Sequence, residues 1–147
     1  MVVFIKYCST PMEIKYEREL SVTVEEFISV MKESTLGERR PVDDFERMKA
    51  MIENSNLVIT ARHEGKLVGI ARSVSDFAFA TYLSDLAVHV QYQRQGIGKE
   101  LIKKTKLEAP LAKIILLAAP AAIDYYPKIG MEQFKYCFLL DEIDDLK

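Results

Sequence analysis

The feature that most limits the fold is a strand, a glycine turn and a helix that follow one another without interruption. The strand "ATYLSDLAVHV" runs through "QRQGIG" into the amphipathic segment "GIGKELIKKTKLEA", and the continuous apolar run "KIILLAAP" comes next. Parallel strands of one sheet need a long crossover connection, usually a helix, so this order indicates that the two strands are parallel. The apolar run is typical of a strand buried on both faces. The sequence therefore predicts an α/β fold whose sheet is at least partly parallel.

The remainder of the chain adds antiparallel strands and further helices. "NLVITARHEGKLVGIARSVSD" predicts a hairpin that turns at "HEGK". Helices are predicted after the N-cap residue Thr23 and over "VDDFERMKAMIENS". An extended start, a short helix in "AAIDYYPKIG" and a last strand "MEQFKYCFLL" complete the order, ahead of an acidic tail. We expect one domain over residues 1–147 with a mixed, mostly antiparallel sheet flanked by helices.

Charge and composition exclude several classes of protein. The net charge of -2 gives no electrostatic basis for a nucleic-acid partner. The apolar runs are too short to span a bilayer, and the start resembles no signal peptide, so we expect a cytoplasmic protein. Cys8 and Cys137 are then expected to be reduced and mostly buried. His63 and His89 show no ligand spacing with the cysteines, so no metal site is predicted.

The glycine turn itself predicts an anion site. The first N–H groups of a helix have no partner within the helix, and the helix dipole places partial positive charge beside them. Gly96 and Gly98 would allow a phosphate to approach the main chain closely, and Arg94 and Lys99 could add charge. The alternative is that both glycines only shape the connection between strand and helix. The two best-known phosphate motifs, the P-loop and the Rossmann fingerprint, do not fit.

Two blocks of sequence resemble the GNAT superfamily of acetyl-CoA-dependent N-acetyltransferases. Leu86-Ala87-Val88 followed by Gln93, Gly96 and Gly98 is similar to the family's central motif. Tyr125-Tyr126, Gly130 and Met131 are similar to its late helix motif. The resemblance implies the GNAT fold, in which two parallel strands splay apart and the coenzyme fills the opening. It implies that the coenzyme diphosphate is held by main-chain amides of Gln93, Arg94, Gln95, Gly96, Ile97, Gly98 and Lys99. The pantetheine arm would pair with Leu86, Ala87 and Val88, and an N–H near Val88 would polarise the thioester carbonyl.

Three positions differ from the family pattern. Ala119 replaces an asparagine that many members have before the late helix, and Met131 replaces a phenylalanine. Ser84 and Asp85 occupy the place where several members have a glutamate. These differences leave open a second function, a non-catalytic acyl-CoA-binding regulatory module of the same fold. Binding of another phosphate ligand by the glycine turn is a third, weaker alternative.

The chemistry of acetyl transfer suggests roles for individual side chains. A lysine-like amine has a pKa near 10.4, so holding it neutral at pH 7 costs about 4–5 kcal/mol. Asp85, beside Ser84, is the first candidate for the base, although strand alternation could turn it away from the substrate and leave it paired with a cation. Tyr126 is the candidate acid for the leaving thiolate. We expect direct attack by the amine of a small molecule or peptide, without an acetyl-cysteine, and by analogy a homodimer.

The stretch "GERRPVDD" between the first two helices allows two interpretations. Arg39 and Arg40 could face the substrate and bind an acid, or the stretch could be a solvated link. The solvated link is favoured, because runs of mixed charge most often lie in solvent.

Overall fold

A five-stranded sheet in which chain order equals spatial order forms the centre of the computed structural model, which describes residues 11–147. Neighbouring strands are antiparallel from β1 to β4, whereas β4 and β5 are parallel. The mixed, mostly antiparallel sheet predicted from the sequence is thereby confirmed. The strands are β1 (Lys15–Arg18), β2 (Leu57–His63), β3 (Lys66–Ser75), β4 (Ala80–Val88) and β5 (Lys113–Ile115).

Helices cover both faces of this sheet. α1 (Val24–Glu33) and α2 (Phe45–Glu53) share one apolar cluster with the sheet, and α3 (Ile97–Glu108) shares a second cluster with it. A 3₁₀ helix, Thr35–Arg39, lies between α1 and α2. α4 (Tyr125–Lys128) follows β5. The chain divides into two compact units, one up to Leu116 and one over Leu117–Lys147, so α4 belongs to the second.

Local signals account for where α1 begins and which side it buries. Thr23 accepts a hydrogen bond from the Glu26 N–H at 3.1 Å, and the Glu26 carboxylate accepts one from the Thr23 N–H at 3.2 Å. This reciprocal capping satisfies N–H groups that have no partner within the helix. Phe27, Val30 and Met31 are fully buried. Burial of one such side chain contributes about 1.5–3 kcal/mol, so the apolar face fixes α1 on the sheet.

The predicted hairpin is formed by β2 and β3. Its loop has two residues, Glu64 and Gly65, with φ of 47° and 83°. Positive φ at both loop positions is the conformation that matches the twist of the adjoining strands, and glycine adopts it without steric cost. The "HEGK" prediction is therefore confirmed.

The predicted last strand is wrong. Residues 131–140 form no strand, and Phe134 and Phe138 are exposed. Strand propensity describes how well a residue fits a paired, half-buried surface, and in the described part of the chain this segment has no strand partner. Cys137 lies in it and is exposed, contrary to the expectation of a buried thiol. Cys8 and the rest of residues 4–10 lie outside the described residues, whereas the later part of the predicted extended start contains β1 (Lys15–Arg18).

Between residues 11 and 147, every helix falls short of the length and apolar character that crossing a bilayer would require.

Candidate functional site

The parallel strands β4 and β5 are paired over only a short distance. The last pair in their register is Tyr82 with Ile115, where β5 ends, whereas β4 continues for six more residues to Val88. Beyond Tyr82, the edge of β4 that faces away from β3 has no neighbouring strand within residues 11–116. We call this the open edge of β4. The two parallel strands therefore stop pairing after Tyr82, as the predicted splay requires, and this leaves the open edge of the second half of β4 without a strand partner in that part of the chain.

A β-bulge lies directly beyond the last β4–β5 pair. Arg72 of β3 is opposite Asp85, and Ser73 is opposite Leu83, so Ser84 is the extra residue of β4. Leu83 belongs to the cluster beneath α3, and Asp85 contacts side chains on the opposite face. Two residues that differ by two positions would lie on one face of a regular strand. A bulge bends its strand and increases the twist, and the β4–β5 pairing ends directly before it.

The main-chain polar groups at the end of β4 alternate between β3 and the open edge. His89 donates its N–H to the carbonyl of Val68 at 2.9 Å, while Val88 is opposite Gly69. This geometry makes Val88–Gly69 a non-hydrogen-bonded pair of the antiparallel ladder. The N–H and C=O groups of Val88, and those of Leu86 two residues earlier, therefore point away from β3 toward the open edge.

Ala87 differs from its two neighbours. Its main-chain groups face β3, and its side chain is buried in the cluster with α1 and α2. The interpretation that Leu86, Ala87 and Val88 all offer strand hydrogen bonds is thus corrected to Leu86 and Val88. The Gln93 side-chain amide donates to the Val88 carbonyl at 2.9 Å, which connects this edge with the turn that follows.

The turn Gln93–Lys99 has the backbone geometry of an anion site. Gly96 is the N-cap of α3 with φ of 82°, and no side chain of residues 11–147 caps the helix. Within the described residues, the main-chain N–H groups of residues 94–99 donate no hydrogen bond. Arg94 also has a positive φ, 62°, which is uncommon for a residue with a side chain. Unused amides at a helix N-terminus, with partial positive charge from the dipole, suit a phosphate group.

The side chains of this turn divide into anchors and exposed groups. Ile97 and Leu101 are buried against the sheet, where an added Cβ on Gly69 would lie 3.2 Å from atoms of both. This tight contact fixes the first turn of α3 relative to β3. The members of the predicted site that are exposed to solvent are Gln93, Arg94, Gln95, Gly96 and Lys99, and Gly98 is partly buried.

The side chains of Tyr92, His63 and His89 are in contact directly before the turn, and nothing in the sequence indicated this cluster. The Tyr92 hydroxyl lies 2.9 Å from Nδ1 of His63, and its ring is edge-on to both His63 and His89. His89 is buried, and its Nδ1 accepts a hydrogen bond from the Gln91 N–H at 3.1 Å. Both histidines of the chain therefore contact the short segment that leads into the glycine turn. Residues 11–147 contain no group of three or more His, Cys, Asp or Glu side chains arranged for a metal ion.

Asp85 has no exposed side-chain surface and pairs with two arginines. One carboxylate oxygen accepts from Nε of Arg40, and the other accepts from Nε of Arg72. Of the two interpretations of Asp85, the geometry favours pairing with cations. Arg40 belongs to the stretch expected to be a solvated link, so that expectation is wrong for Arg40. Ser84 accepts a hydrogen bond from Arg72 Nη2 on its hydroxyl at 2.8 Å.

Tyr126 lies in the second unit, on α4. Its ring is half-buried and edge-on to Tyr125, with 5.3 Å between the ring centroids. The Tyr126 carbonyl accepts hydrogen bonds from the N–H groups of Ile129 and Met131, which close the helix before Gly130 at φ of 97°. Burial, and to a smaller extent the neighbouring Tyr125, raises the pKa of Tyr126 above its ordinary value. The hydroxyl is therefore protonated at neutral pH and able to donate a proton.

Comparison with known proteins identifies relatives of this chain. Residues 21–142 match the family model described as an acetyltransferase (GNAT) domain. The chain is 38% identical over 74 residues to a chloroplastic GCN5-related N-acetyltransferase of Arabidopsis thaliana. The matched region covers 48% of this chain and 29% of that protein. The chain thus spans less than a third of that relative.

Solved structures share the fold at low sequence identity. A GNAT family acetyltransferase from Streptococcus pneumoniae superposes with a TM-score of 0.70 at 22% identity, over 89% of this chain and 98% of that one. An aminoglycoside N-acetyltransferase, solved in complex with CoA, gives a TM-score of 0.67 at 12% identity, over 89% and 95% of the two chains.

Proposed function

The chain belongs to the GNAT acetyltransferase family, and on that premise we propose that it transfers the acetyl group of acetyl-CoA to a primary amine by direct attack. The observation that carries the proposal is that two sets of main-chain groups without hydrogen-bond partners in residues 11–116 follow one another along the chain. The open edge of β4 leads, after one short 3₁₀ turn, to the uncapped N-terminus of α3. One set suits an extended chain of amides and the other suits a diphosphate, in the order in which coenzyme A presents those groups.

The residues of the turn and the strand edge would divide the binding of the coenzyme. The free amides of residues 94–99 would hold the diphosphate, with added positive charge from Arg94 and Lys99. Leu86 and Val88 would pair with the pantetheine amides as a neighbouring strand does. The Val88 N–H would donate to the thioester carbonyl oxygen, where negative charge develops as the amine attacks. Acetyl-CoA supplies an acetyl group that is already activated for transfer.

Protons must move as the new bond forms. The amine nitrogen forms a bond to the carbonyl carbon, the carbon–sulfur bond breaks, and the electron pair leaves with the sulfur. Tyr126 would give that sulfur its proton and regain one from solvent. The proton lost by the amine would pass to water, since both oxygens of Asp85 already accept from arginines. A cytosolic location, a homodimer, and an acceptor that is neither nucleic acid nor membrane remain part of this proposal.

Release of free thiol from acetyl-CoA, measured over a panel of amines, tests the proposal. We expect turnover with at least one amine and a fall of about 10²–10⁴-fold in kcat for Tyr126→Phe, because removal of a general acid has that effect. Tyr125→Phe, which removes the same hydroxyl one residue earlier, is the matched control and should keep its activity. Equal rates for wild type and Tyr126→Phe would remove Tyr126 from the mechanism.

The same experiment separates an enzyme from a binding module of this fold. If calorimetry detects CoA binding but no amine of the panel releases thiol, the non-catalytic alternative is supported. If calorimetry detects no CoA binding, both the enzyme and the acyl-CoA-binding module are refuted.

A further inference from the structure

The bulge in β4 leaves one main-chain carbonyl without a partner in the sheet. Ser84 is the extra residue between the pairs Arg72–Asp85 and Ser73–Leu83, so its carbonyl takes no part in the β3 ladder. A buried carbonyl without a hydrogen bond is costly, and native structures almost always supply a donor. Here the donor is Nη2 of Arg40, at 2.8 Å. The guanidinium comes from a residue 44 positions earlier in the chain.

Asp85 holds the two arginines of the bulge in a fixed orientation. Its oxygens accept from Nε of Arg40 and Nε of Arg72, which aims the remaining N–H groups of each guanidinium. Arg40 then reaches the Ser84 carbonyl, and Arg72 reaches the Ser84 hydroxyl. The carbonyl and the hydroxyl of the bulged residue are therefore both bound by arginines that one carboxylate aligns. The planar guanidinium fork suits this task, and a lysine would not reproduce it.

The cluster is fixed to helices on the same face of the sheet. Arg72 also donates to the Met51 carbonyl at 3.2 Å and to the Ser55 hydroxyl at 3.0 Å, at the end of α2. Arg40 itself follows the 3₁₀ helix between α1 and α2. The bulge is thus connected to the segment that joins the first two helices. The open edge that begins beyond it carries Leu86 and Val88.

We propose that Arg40 is a positioning residue, which together with Asp85 and Arg72 holds the β4 bulge in the shape that separates β4 from β5 and aims the Val88 N–H. This inference rests on the proposed acetyl transfer, because it assigns the cluster to the placement of the thioester. Asp85 is then an aligning group for two cations and not the base of the reaction. Loss of Arg40 shifts the open edge while leaving the amides of the glycine turn in place.

The test compares Arg40→Ala with Arg39→Ala, which removes an identical side chain from the exposed neighbouring position. For Arg40→Ala we expect kcat to fall about 10- to 100-fold, the effect of a small misplacement of reacting groups. The Kd for CoA should stay within about threefold of wild type, since the uncapped helix N-terminus holds the diphosphate. Arg39→Ala should match wild type in both. Wild-type kcat in Arg40→Ala would overturn the proposal.

Chemical rescue separates positioning from general destabilisation. The Arg40 side chain is 22% exposed, so the space it leaves is open to a small cation. We expect millimolar methylguanidinium to restore part of kcat in Arg40→Ala and none in Tyr126→Phe. Absence of rescue in a variant that melts at the wild-type temperature would count against a role in aiming the bulge.

A double-mutant cycle with Asp85→Asn distinguishes alignment from base catalysis. If Asp85 aligns the arginines, Arg40→Ala adds little to the loss caused by Asp85→Asn, and the pH–rate profile keeps its shape. If Asp85 is the base, the two losses multiply and the acidic limb of the profile disappears, which would refute the proposal. Should Asp85→Asn fail to fold, the pH–rate profile of Arg40→Ala decides the question: an unchanged shape supports alignment, whereas an acidic limb moved to higher pH, as expected of a carboxylate base that loses a cation, would refute the proposal. If wild type transfers acetyl groups and the Arg40 variants keep the wild-type kcat, this inference is refuted and the proposed function is not.

Discussion

Replacing Gly96 by alanine separates the conformational role of this glycine from its role in binding. Gly96 and the hairpin residue Gly65 have nearly the same φ, 82° and 83°, and an added Cβ at either meets no atom of the described residues within 4 Å. An alanine in this left-handed conformation costs about 1–2 kcal/mol. Both variants should therefore lose about 1–2 kcal/mol of unfolding free energy, which corresponds to a fall in Tm of roughly 2–8 °C.

The two variants should differ in their affinity for coenzyme A. A methyl group at Gly96 projects into the open space at the start of α3, where the diphosphate would sit. Loss of two hydrogen bonds to a charged group, at about 1.5 kcal/mol each, amounts to about 3 kcal/mol. The Kd for CoA should then rise about 100-fold in Gly96→Ala and stay unchanged in Gly65→Ala.

Calorimetry supplies both measurements on the same samples. Scanning calorimetry gives the Tm, and titration with CoA at one fixed ionic strength gives the Kd, because salt screens the diphosphate interaction. Wild-type affinity in Gly96→Ala would refute the assignment of the diphosphate to this turn. An equal loss of affinity in Gly65→Ala would show that the effect arises from instability and not from the site.

Two further predictions concern packing and pH. Gly69→Val should lower the unfolding free energy by about 1–3 kcal/mol in chemical denaturation, because a Cβ there would lie only 3.2 Å from two buried side chains of α3; an unchanged midpoint would contradict the tight contact. Hydrogen bonds from Arg62 lower the pKa values of Glu19 and Glu26 in the folded protein. Their contribution to stability is thus present above the ordinary glutamate pKa and is lost as the pH falls through the folded values. Arg62→Met should cost about 1–2 kcal/mol at pH 7, allowing for solvent screening, and the difference from wild type in urea denaturation should shrink toward pH 3. A difference independent of pH would contradict this pairing.

The parts of the site that the sequence could predict are those encoded locally. The turn from β4 into α3 depends on glycine conformations and on the periodicity of Ile97, Leu101 and Thr105, all of which lie within one short stretch. The hairpin at Gly65 is encoded in the same way. These features need no information about the remainder of the fold, and the structure contains them where they were expected.

The parts that could not be predicted depend on contacts between distant residues. Arg40 and Asp85 are 45 positions apart, and nothing in either neighbourhood indicates that they pair. The extra residue at Ser84 is hidden, because burial still alternates along "TYLSDLAV" across the bulge. The segment 131–140 has the composition of a strand, but a strand requires a partner as well as propensity. In each case the deciding quantity is a tertiary contact.

The proposed site uses mainly main-chain groups, and this affects how the sequence of such a protein can change during evolution. The groups proposed to bind acetyl-CoA, the acetyl donor, are main-chain amides of Leu86, Val88 and the turn. Every amino acid except proline carries the same amide. Replacement of most side chains along this path would leave that machinery in place. On this proposal, most side chains near the bound coenzyme can be substituted without loss of binding, whereas a few positions such as Gly96 and Arg40 tolerate little change. A lineage with this architecture can acquire a new acceptor while its donor stays the same.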